Sequence, residues 1–274
     1  MANGCGSEGW SSFRTSHCIT VPSLLPHMSP IPGSDVPSDD YDVVLHVVSS
    51  RRSVRRFLPD PVPWELVEAV IEVARQAPSA ANSQPWEFVV VEDGAMRTRI
   101  ARAAASLFGE ARKRDPSFEW SVSVQPFLAQ APVLIVVLGD KRMIPAYPSI
   151  LRGNILLRQS LSNCVYGLQL AAASLGLSTA WGTLQGGSPE SEIRELLSIP
   201  EYFTIDHIVP LGYADDEASR KSMALEPARQ RASRRRSLDQ IVHRERYDLS
   251  KARSDEAADQ FVWRDTVTRV RRES

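Results

Sequence analysis

Residues 132–138 (PVLIVVL) constrain the fold more than any other segment, because none of the seven side chains is polar. A strand that is apolar on both faces must be covered on both faces, so this segment predicts a central strand with other layers on each side. The longest apolar run, residues 131–139, is far shorter than the roughly 20 residues that span a bilayer. The sequence therefore predicts a globular protein without a membrane partner.

Helical and strand patterns alternate along the chain on either side of this segment. Residues 41–50 favour a short helix, with Asp39 or Asp40 as its N-cap, although their β-branched content leaves a strand open. The helix predicted at 154–175 is apolar nearly all round, which indicates burial on every side. Further helices are predicted at 63–77, 96–111 and 190–197, and further strands at 87–92, 177–184 and 204–213. On pattern alone, this order suggests a single α/β-type domain with a mixed sheet.

Composition divides the chain and excludes several classes of protein. Residues 1–40 are rich in Pro, Gly and Ser and predict a disordered tail, followed by a domain over 41–245 and a charged extension over 246–274. The net charge of −1 argues against wrapping by nucleic acid, although the basic C-terminal region leaves phosphate or nucleic-acid binding as an alternative. The three cysteines lack metal-ligand spacing, so we expect no metal site and a reducing, cytoplasmic location.

Residues 50–57 (SRRSVRRF) are the first candidate binding segment. Arg51, Arg52 and Arg55 can donate paired hydrogen bonds to a phosphate, and Ser53 adds a compact donor. A solvated basic turn is an equally good interpretation of these residue types.

Two other segments offer neutral contacts for a ligand. Residues 77–88 (APSAANSQPWEF) join a helix to a strand and carry donors and acceptors that suit a flat heterocycle, although Trp86 also fits an ordinary connection with a core residue. In residues 176–184 (GLSTAWGTL), Gly182 allows close approach of a ligand and Thr183 supplies a hydroxyl. Here the alternative is a plain turn, with Trp181 and Tyr166 as core residues.

Together with residues 131–139, 168–184, 195–216 and 234–243, these segments resemble the FMN-dependent nitroreductase superfamily. The 50–57 segment and Thr183 are also similar to its iodotyrosine deiodinase branch. The resemblance implies an α+β fold with a mixed central sheet flanked by helices. It also implies an intertwined homodimer with two FMN sites at its interface.

The same resemblance implies roles for individual residues. The FMN phosphate and ribityl chain would be held by the basic segment and one C-terminal arginine, the flavin would be lined by the loop after residue 77, and the strand end at 181–183 would lie near flavin N5. The positive charge of Arg55 would stabilise the reduced, anionic flavin. The implied cofactor-binding residues are Arg51, Arg52, Ser53, Arg55, Pro78, Ser79, Ala80, Asn82, Trp181, Gly182, Thr183 and Arg235.

FMN itself carries the chemistry in such proteins, so no catalytic side chain is expected, apart from a contribution of Thr183 near N5. The implied activity is ping-pong transfer from NAD(P)H to a nitroaromatic, a quinone or a related flat acceptor. Reductive dehalogenation of a halogenated aromatic, and flavin binding without turnover, are the alternatives. The lid segment at 106–125 offers Phe108, Phe118 and Trp120 but not the Glu, Tyr and Lys trio of the deiodinase branch. Tyr166-Gly167 also replaces the Gln-Asn pair that is common in the family.

Overall fold

The computed structural model describes residues 38–114, 119–120, 124–184, 187–217, 235–254 and 267–268 of the 274-residue chain. Contacts divide the chain into two compact units, Met1–Tyr41 and Asp42–Ser274. Only residues 38–41 of the first unit are described, so nearly all of the predicted tail lies outside the described residues. The central sheet and the helices that cover it belong to the second unit.

The central strand is β3 (Val133–Asp140), as its apolar sequence predicts. It pairs antiparallel with β1 (Trp86–Val91) on one side and with β6 (Phe203–Gly212) on the other. Two short strands, β4 (Ser178–Thr179) and β5 (Gly182–Thr183), pair antiparallel with the outer side of β6. Among the described residues, the parallel pairing expected of a mixed sheet occurs at one bridge, between Ser53 and Thr179.

Helices cover both faces of this sheet, which confirms the α+β class. On one face lie α3 (Gly94–Arg114), α4 (Val124–Gln130) and α6 (Ser188–Leu197); on the other lie α2 (Trp64–Ala74) and α5 (Gly153–Ser174). The side chains of β3 alternate between the two cores. Leu134, Val136 and Leu138 pack on the first face, whereas odd-numbered positions such as Ile135 pack towards α5.

A bulge in β6 interrupts this alternation. Val137 pairs with His207 but Leu138 pairs with Ile205, so Asp206 is an extra residue in the ladder. The bulge allows Ile205 and Ile208, three positions apart, to pack into the same core. His207 shares the α5 face with Val137 because directly paired residues point to the same side of a sheet.

Several predicted boundaries differ from the structure. Residues 41–50 are helical, but α1 (Ser38–Ser50) begins earlier, so Asp39 and Asp40 lie inside the helix and neither is its N-cap. The predicted strand at 177–184 is wrong as a continuous element, since Ala180 and Trp181 separate β4 from β5. Helix α2 ends at Ala74 rather than at residue 77.

Short elements complete the described chain. Strands β2 (Glu119–Trp120) and β7 (Val267–Thr268) form a second, two-stranded sheet, and α7 (Leu238–Ile241) follows Arg235. Single 3-10 turns lie at Ala80–Asn82, Lys141–Ala146, Ser149–Leu151 and Leu249–Lys251. Within the described residues, every helix is too short or too polar to cross a membrane.

Candidate functional site

The basic segment lies directly beside strand β4. The backbone N–H of Val54 donates to the carbonyl oxygen of Thr179 over 2.9 Å, and Ser53 forms the parallel bridge to the same residue. Arg51 and Arg55 are half-buried, and Arg52 and Ser53 are exposed. The four polar residues of this predicted phosphate-binding segment are therefore fixed next to the 178–183 stretch.

A positive charge from the far end of the domain approaches this segment. The pKa of Arg51 is lowered, mainly by partial burial and then by the charge of Arg235, with a further contribution from Arg52. Arg236, which precedes α7, instead donates to the carbonyl oxygen of Gln240 in that helix. Gathering like charges costs energy unless an anion compensates them, so this cluster suits a phosphate group.

The loop at 78–84 is held on α5. The Ser160 hydroxyl accepts the backbone N–H of Ala80 over 3.1 Å, and Asn163 Nδ2 donates to the carbonyl oxygen of Pro78 over 3.1 Å. Tyr147 donates its hydroxyl proton to the carbonyl oxygen of Ala80 over 2.8 Å. These contacts come from two elements distant in sequence and position the backbone between Pro78 and Ala80.

The backbone of the same loop is strained. Ala81, Asn82 and Gln84 have φ values of 49°, 52° and 43°, in the left-handed region that side chains with a Cβ rarely adopt. The Ser79 hydroxyl accepts the backbone N–H of Gln84 over 3.0 Å, which closes the loop on itself. Strain of this kind persists only where neighbouring contacts hold it, and it concentrates at binding sites.

Gly182 is explained by the sheet rather than by a ligand. A Cβ on this residue would lie 2.9 Å from the carbonyl oxygen of Ile208, its partner on β6. The next residue, Thr183, is exposed and pairs with His207. The close approach that the structure shows at Gly182 is to the backbone of β6, and the predicted approach of a ligand stays a prediction.

Trp181 and Tyr166 are not core residues, contrary to the interpretation of the sequence alone. Their exposed fractions are 36% and 43%, whereas Trp86 is buried as expected. The Trp181 indole Nε1–H donates to His207 Nδ1 over 3.0 Å. Trp181 thus presents part of its ring to solvent while its polar edge is held by β6.

Asp206 and His207 are the residues that the sequence analysis missed. Burial and the charge of Arg158 lower the pKa of His207 to about 4, so this imidazole is neutral at pH 7. Burial raises the pKa of Asp206, against the effect of Arg158, whose Nε lies 3.6 Å from the carboxylate. The available signal was the run IDHIV, in which two ionisable residues interrupt an otherwise apolar strand.

Within one chain, the predicted site residues form two groups in space. Residues 51–55, Arg235 and the 181–183 stretch gather near β4 and β5, whereas the loop at 78–84 leads into β1. Trp86 pairs with Gly139, which pairs with Thr204, whereas Thr179 pairs with Leu211. Gly182 and Thr183 pair between these rows, with Ile208 and His207. Helix α5 contacts the loop through Asn163, and its Tyr166 affects the pKa of Arg51. The side chains of the predicted lid, Phe108, Phe118 and Trp120, lie outside the described part of the structure.

Comparison with known proteins identifies relatives of this chain. Residues 48–213 match the sequence profile of the Nitroreductase family. An Archaeoglobus fulgidus protein provisionally named NADH dehydrogenase/NAD(P)H nitroreductase is 31% identical over 174 residues, which is 63% of this chain and 86% of that protein. The iodotyrosine deiodinase of Thermotoga neapolitana is 30% identical over 181 residues, which is 62% of this chain and 88% of that protein.

A solved structure shares the fold. The hypothetical oxidoreductase YcnD of Bacillus subtilis aligns with a TM-score of 0.55 at 22% identity, covering 80% of this chain and 78% of that chain. The resemblance inferred from the sequence motifs is therefore confirmed at the level of family and fold.

Proposed function

Because the chain belongs to the nitroreductase family, we propose that it is an FMN-dependent oxidoreductase that uses NAD(P)H to reduce nitroaromatics, quinones or related flat acceptors. The observation that carries this proposal is the docking of the basic segment on β4, where Val54 donates to Thr179 and Ser53 bridges to the same residue. This segment lies next to the stretch that family resemblance assigns to the flavin, and the charge of Arg235 lowers the pKa of its Arg51.

The residues of the basic cluster fit the phosphate end of FMN. Arg51, Arg52 and Arg235 would bind the phosphate through charge-assisted hydrogen bonds, and Ser53 would add a neutral donor. The half-buried Arg55 would stabilise negative charge at the pyrimidine edge of the ring system. Bound FMN would supply hydride and electron transfer, for which side chains alone are unsuited.

The neutral residues would orient the flavin ring and exclude water. Pro78, Ser79, Ala80 and Asn82 belong to a loop whose strained backbone is already held in place by α5. Trp181 and the backbone of Gly182 would border the ring, and the exposed hydroxyl of Thr183 is free to face its reactive edge. Such preorganisation lowers the entropic cost of binding.

We further propose that two copies of the chain build each site. The family resemblance implies FMN sites at the interface of a homodimer, so a second copy would contribute residues to each site. Val43 and Val44 of α1 are 62% and 60% exposed, and Leu238 and Leu249 in the C-terminal region are 68% and 80% exposed. Where exposed apolar side chains adjoin one another, they favour an association surface.

Helix α5 gives less support for a dimer than its sequence predicts. Leu168, Gln169, Ala171 and Ala172 are already buried within one chain. The apolar surface that needs a partner lies on α1 and around α7. Light scattering should give a dimer for the FMN-loaded protein and a shift towards monomer for Val44→Lys, since a charge would then enter the interface. A monomeric wild type that binds FMN would contradict this arrangement.

NAD(P)H and the acceptor would use the same exposed face in turn, which gives ping-pong kinetics. Reductive dehalogenation of a halogenated aromatic is the second candidate activity. It is favoured by the similarity to the Thermotoga neapolitana deiodinase and by the exposed position of Thr183. Rates with a nitrofuran, a benzoquinone and a halotyrosine, measured side by side under NADH and NADPH, discriminate between these activities.

The test of the cofactor site is FMN affinity in arginine variants. Arg51→Ala and Arg235→Ala each remove a charged hydrogen-bond donor worth about 1.5–3 kcal/mol, so the FMN dissociation constant should rise roughly 10- to 100-fold. Arg75→Ala is the matched control, because Arg75 is exposed and pairs with Glu72 on α2. Equal FMN affinity in all three variants would remove the basic cluster from the site.

A further inference from the structure

The contact between Trp181 and His207 has a defined geometry. Besides the 3.0 Å hydrogen bond from the indole N–H to His207 Nδ1, the two rings meet edge to face at 89° with centroids 5.3 Å apart. His207 is 6% exposed, so its ring is anchored within the fold. Trp181 is the more exposed partner, and its orientation therefore depends on the fixed imidazole.

A histidine at position 207 lowers the stability of the folded protein, because one of its ring nitrogens is buried without a hydrogen-bond partner among the described residues. Because Nδ1 accepts the indole proton, the neutral imidazole carries its own proton on Nε2. That nitrogen is fully buried and has no hydrogen-bond partner among the described residues. A buried donor without a partner is unfavourable, and an apolar residue would avoid the penalty. The strand nevertheless has a histidine here, which indicates a role for Nδ1.

His207 lies beside two residues of the proposed flavin site. It pairs directly with Thr183 on β5, and Trp181 is its diagonal neighbour on the same face. The adjacent bulge at Asp206 turns His207 towards this face. One imidazole therefore contacts Trp181 and lies on the same sheet face as Thr183, the two residues that would border the proposed flavin ring.

We propose that His207 is a positioning residue of the flavin site, whose Nδ1 fixes the Trp181 indole and, through it, the stretch from Trp181 to Thr183 against the cofactor. This inference rests on the proposed function and adds a residue to it. His207 does not touch the reacting atoms; it acts through Trp181. The acceptor atom, rather than the bulk of the imidazole, is the property that matters.

Three substitutions separate the acceptor from the packing. His207→Leu fills the site without an acceptor, and His207→Asn keeps an acceptor oxygen near the place of Nδ1. Val209→Ala is the packing control, because Val209 is fully buried on the same strand and in the core on the α5 face. Trp181→Phe removes the donor and leaves His207 intact, so the proposal stays testable if His207→Leu does not fold.

The first measurement uses the indole N–H resonance of Trp181, assigned with Trp181→Phe. In His207→Leu this resonance should move upfield and its proton should exchange with solvent at least about tenfold faster, whereas His207→Asn and Val209→Ala should retain most of the protection.

The second measurement is FMN binding. The dissociation constant should rise about three- to tenfold in His207→Leu and Trp181→Phe, together with a shift in the midpoint potential of bound FMN. It should stay within about twofold of wild type in His207→Asn.

The outcomes distinguish the two proposals. A wild-type protein that does not bind FMN overturns the proposed function and this inference with it. A wild-type protein that binds FMN, with unchanged indole exchange or unchanged affinity and potential in His207→Leu, overturns this inference alone. Equal losses in His207→Asn and His207→Leu, or in Val209→Ala, would also overturn it, because the effect would then be one of packing.

Discussion

Ser160→Ala tests whether α5 holds the strained loop in its binding conformation. The Ser160 hydroxyl is buried, donates to the carbonyl oxygen of Leu156 over 2.8 Å and accepts the backbone N–H of Ala80 over 3.1 Å. Alanine removes the acceptor and leaves the helix backbone unchanged. The N–H of Ala80 then loses its partner at the start of the 3-10 turn.

The expected magnitude follows from two opposing quantities. The lost hydrogen bond is worth about 0.5–1.5 kcal/mol, and up to about 3 kcal/mol if the N–H stays buried without a partner. The left-handed conformations of Ala81 and Asn82 store on the order of 1 kcal/mol or more each, which the anchors must offset. Because these quantities are similar, we expect the loop to open in a substantial fraction of molecules. FMN affinity should then fall roughly 5- to 30-fold for about 1–2 kcal/mol.

Ser162→Ala is the matched control. Ser162 lies two residues further along α5 and makes the same type of hydrogen bond, to the carbonyl oxygen of Arg158 over 2.9 Å. Hydrogen exchange should be faster at the Ala80 amide of Ser160→Ala without added FMN, and calorimetry should show the weaker FMN binding. If Ser160→Ala and Ser162→Ala match in both measurements, the loop does not depend on the Ser160 hydroxyl and the reasoning is refuted.

Two further predictions concern β5 and β6. Gly182→Ala places a Cβ 2.9 Å from the carbonyl oxygen of Ile208, so it should lower the free energy of unfolding by about 1–3 kcal/mol; an unchanged Tm would contradict this. Acidification should destabilise the protein, because unfolded His207 takes up a proton at its ordinary pKa of 6.5 while burial and Arg158 hold its folded pKa at about 4. The resulting decrease in the free energy of unfolding grows as pH falls from about 6.5 and reaches about 3 kcal/mol below pH 4. The raised pKa of Asp206 acts in the opposite direction, so the test is whether His207→Asn flattens the acid limb of denaturant titrations; an unchanged limb would refute the assignment.

The elements with the strongest periodicity were predictable from the sequence. The all-apolar run became β3, and the 3.6-residue spacing of apolar side chains became α2. The nearly all-apolar segment became α5, although α5 is buried on one face and not on every side. These signals are local, and tertiary structure reinforces them. The break between β4 and β5 was not predictable, because it depends on how two short strands share the edge of β6.

The site was predictable only in part for a similar reason. Motifs indicated the basic segment, and family resemblance selected Arg235, whose charge lowers the pKa of Arg51. The roles of Ser160 and His207 arise from contacts between residues distant in sequence, which no local pattern encodes. The exposure of Trp181 likewise follows from its place beside the β6 bulge, whereas its residue type alone favours the core.

The most direct test of the central claim is the FMN content of the purified protein. We expect a yellow protein with about one FMN per chain, released on denaturation, and apo protein that quenches the fluorescence of added FMN with 1:1 stoichiometry. A colourless protein that leaves the fluorescence of added FMN unchanged would contradict it.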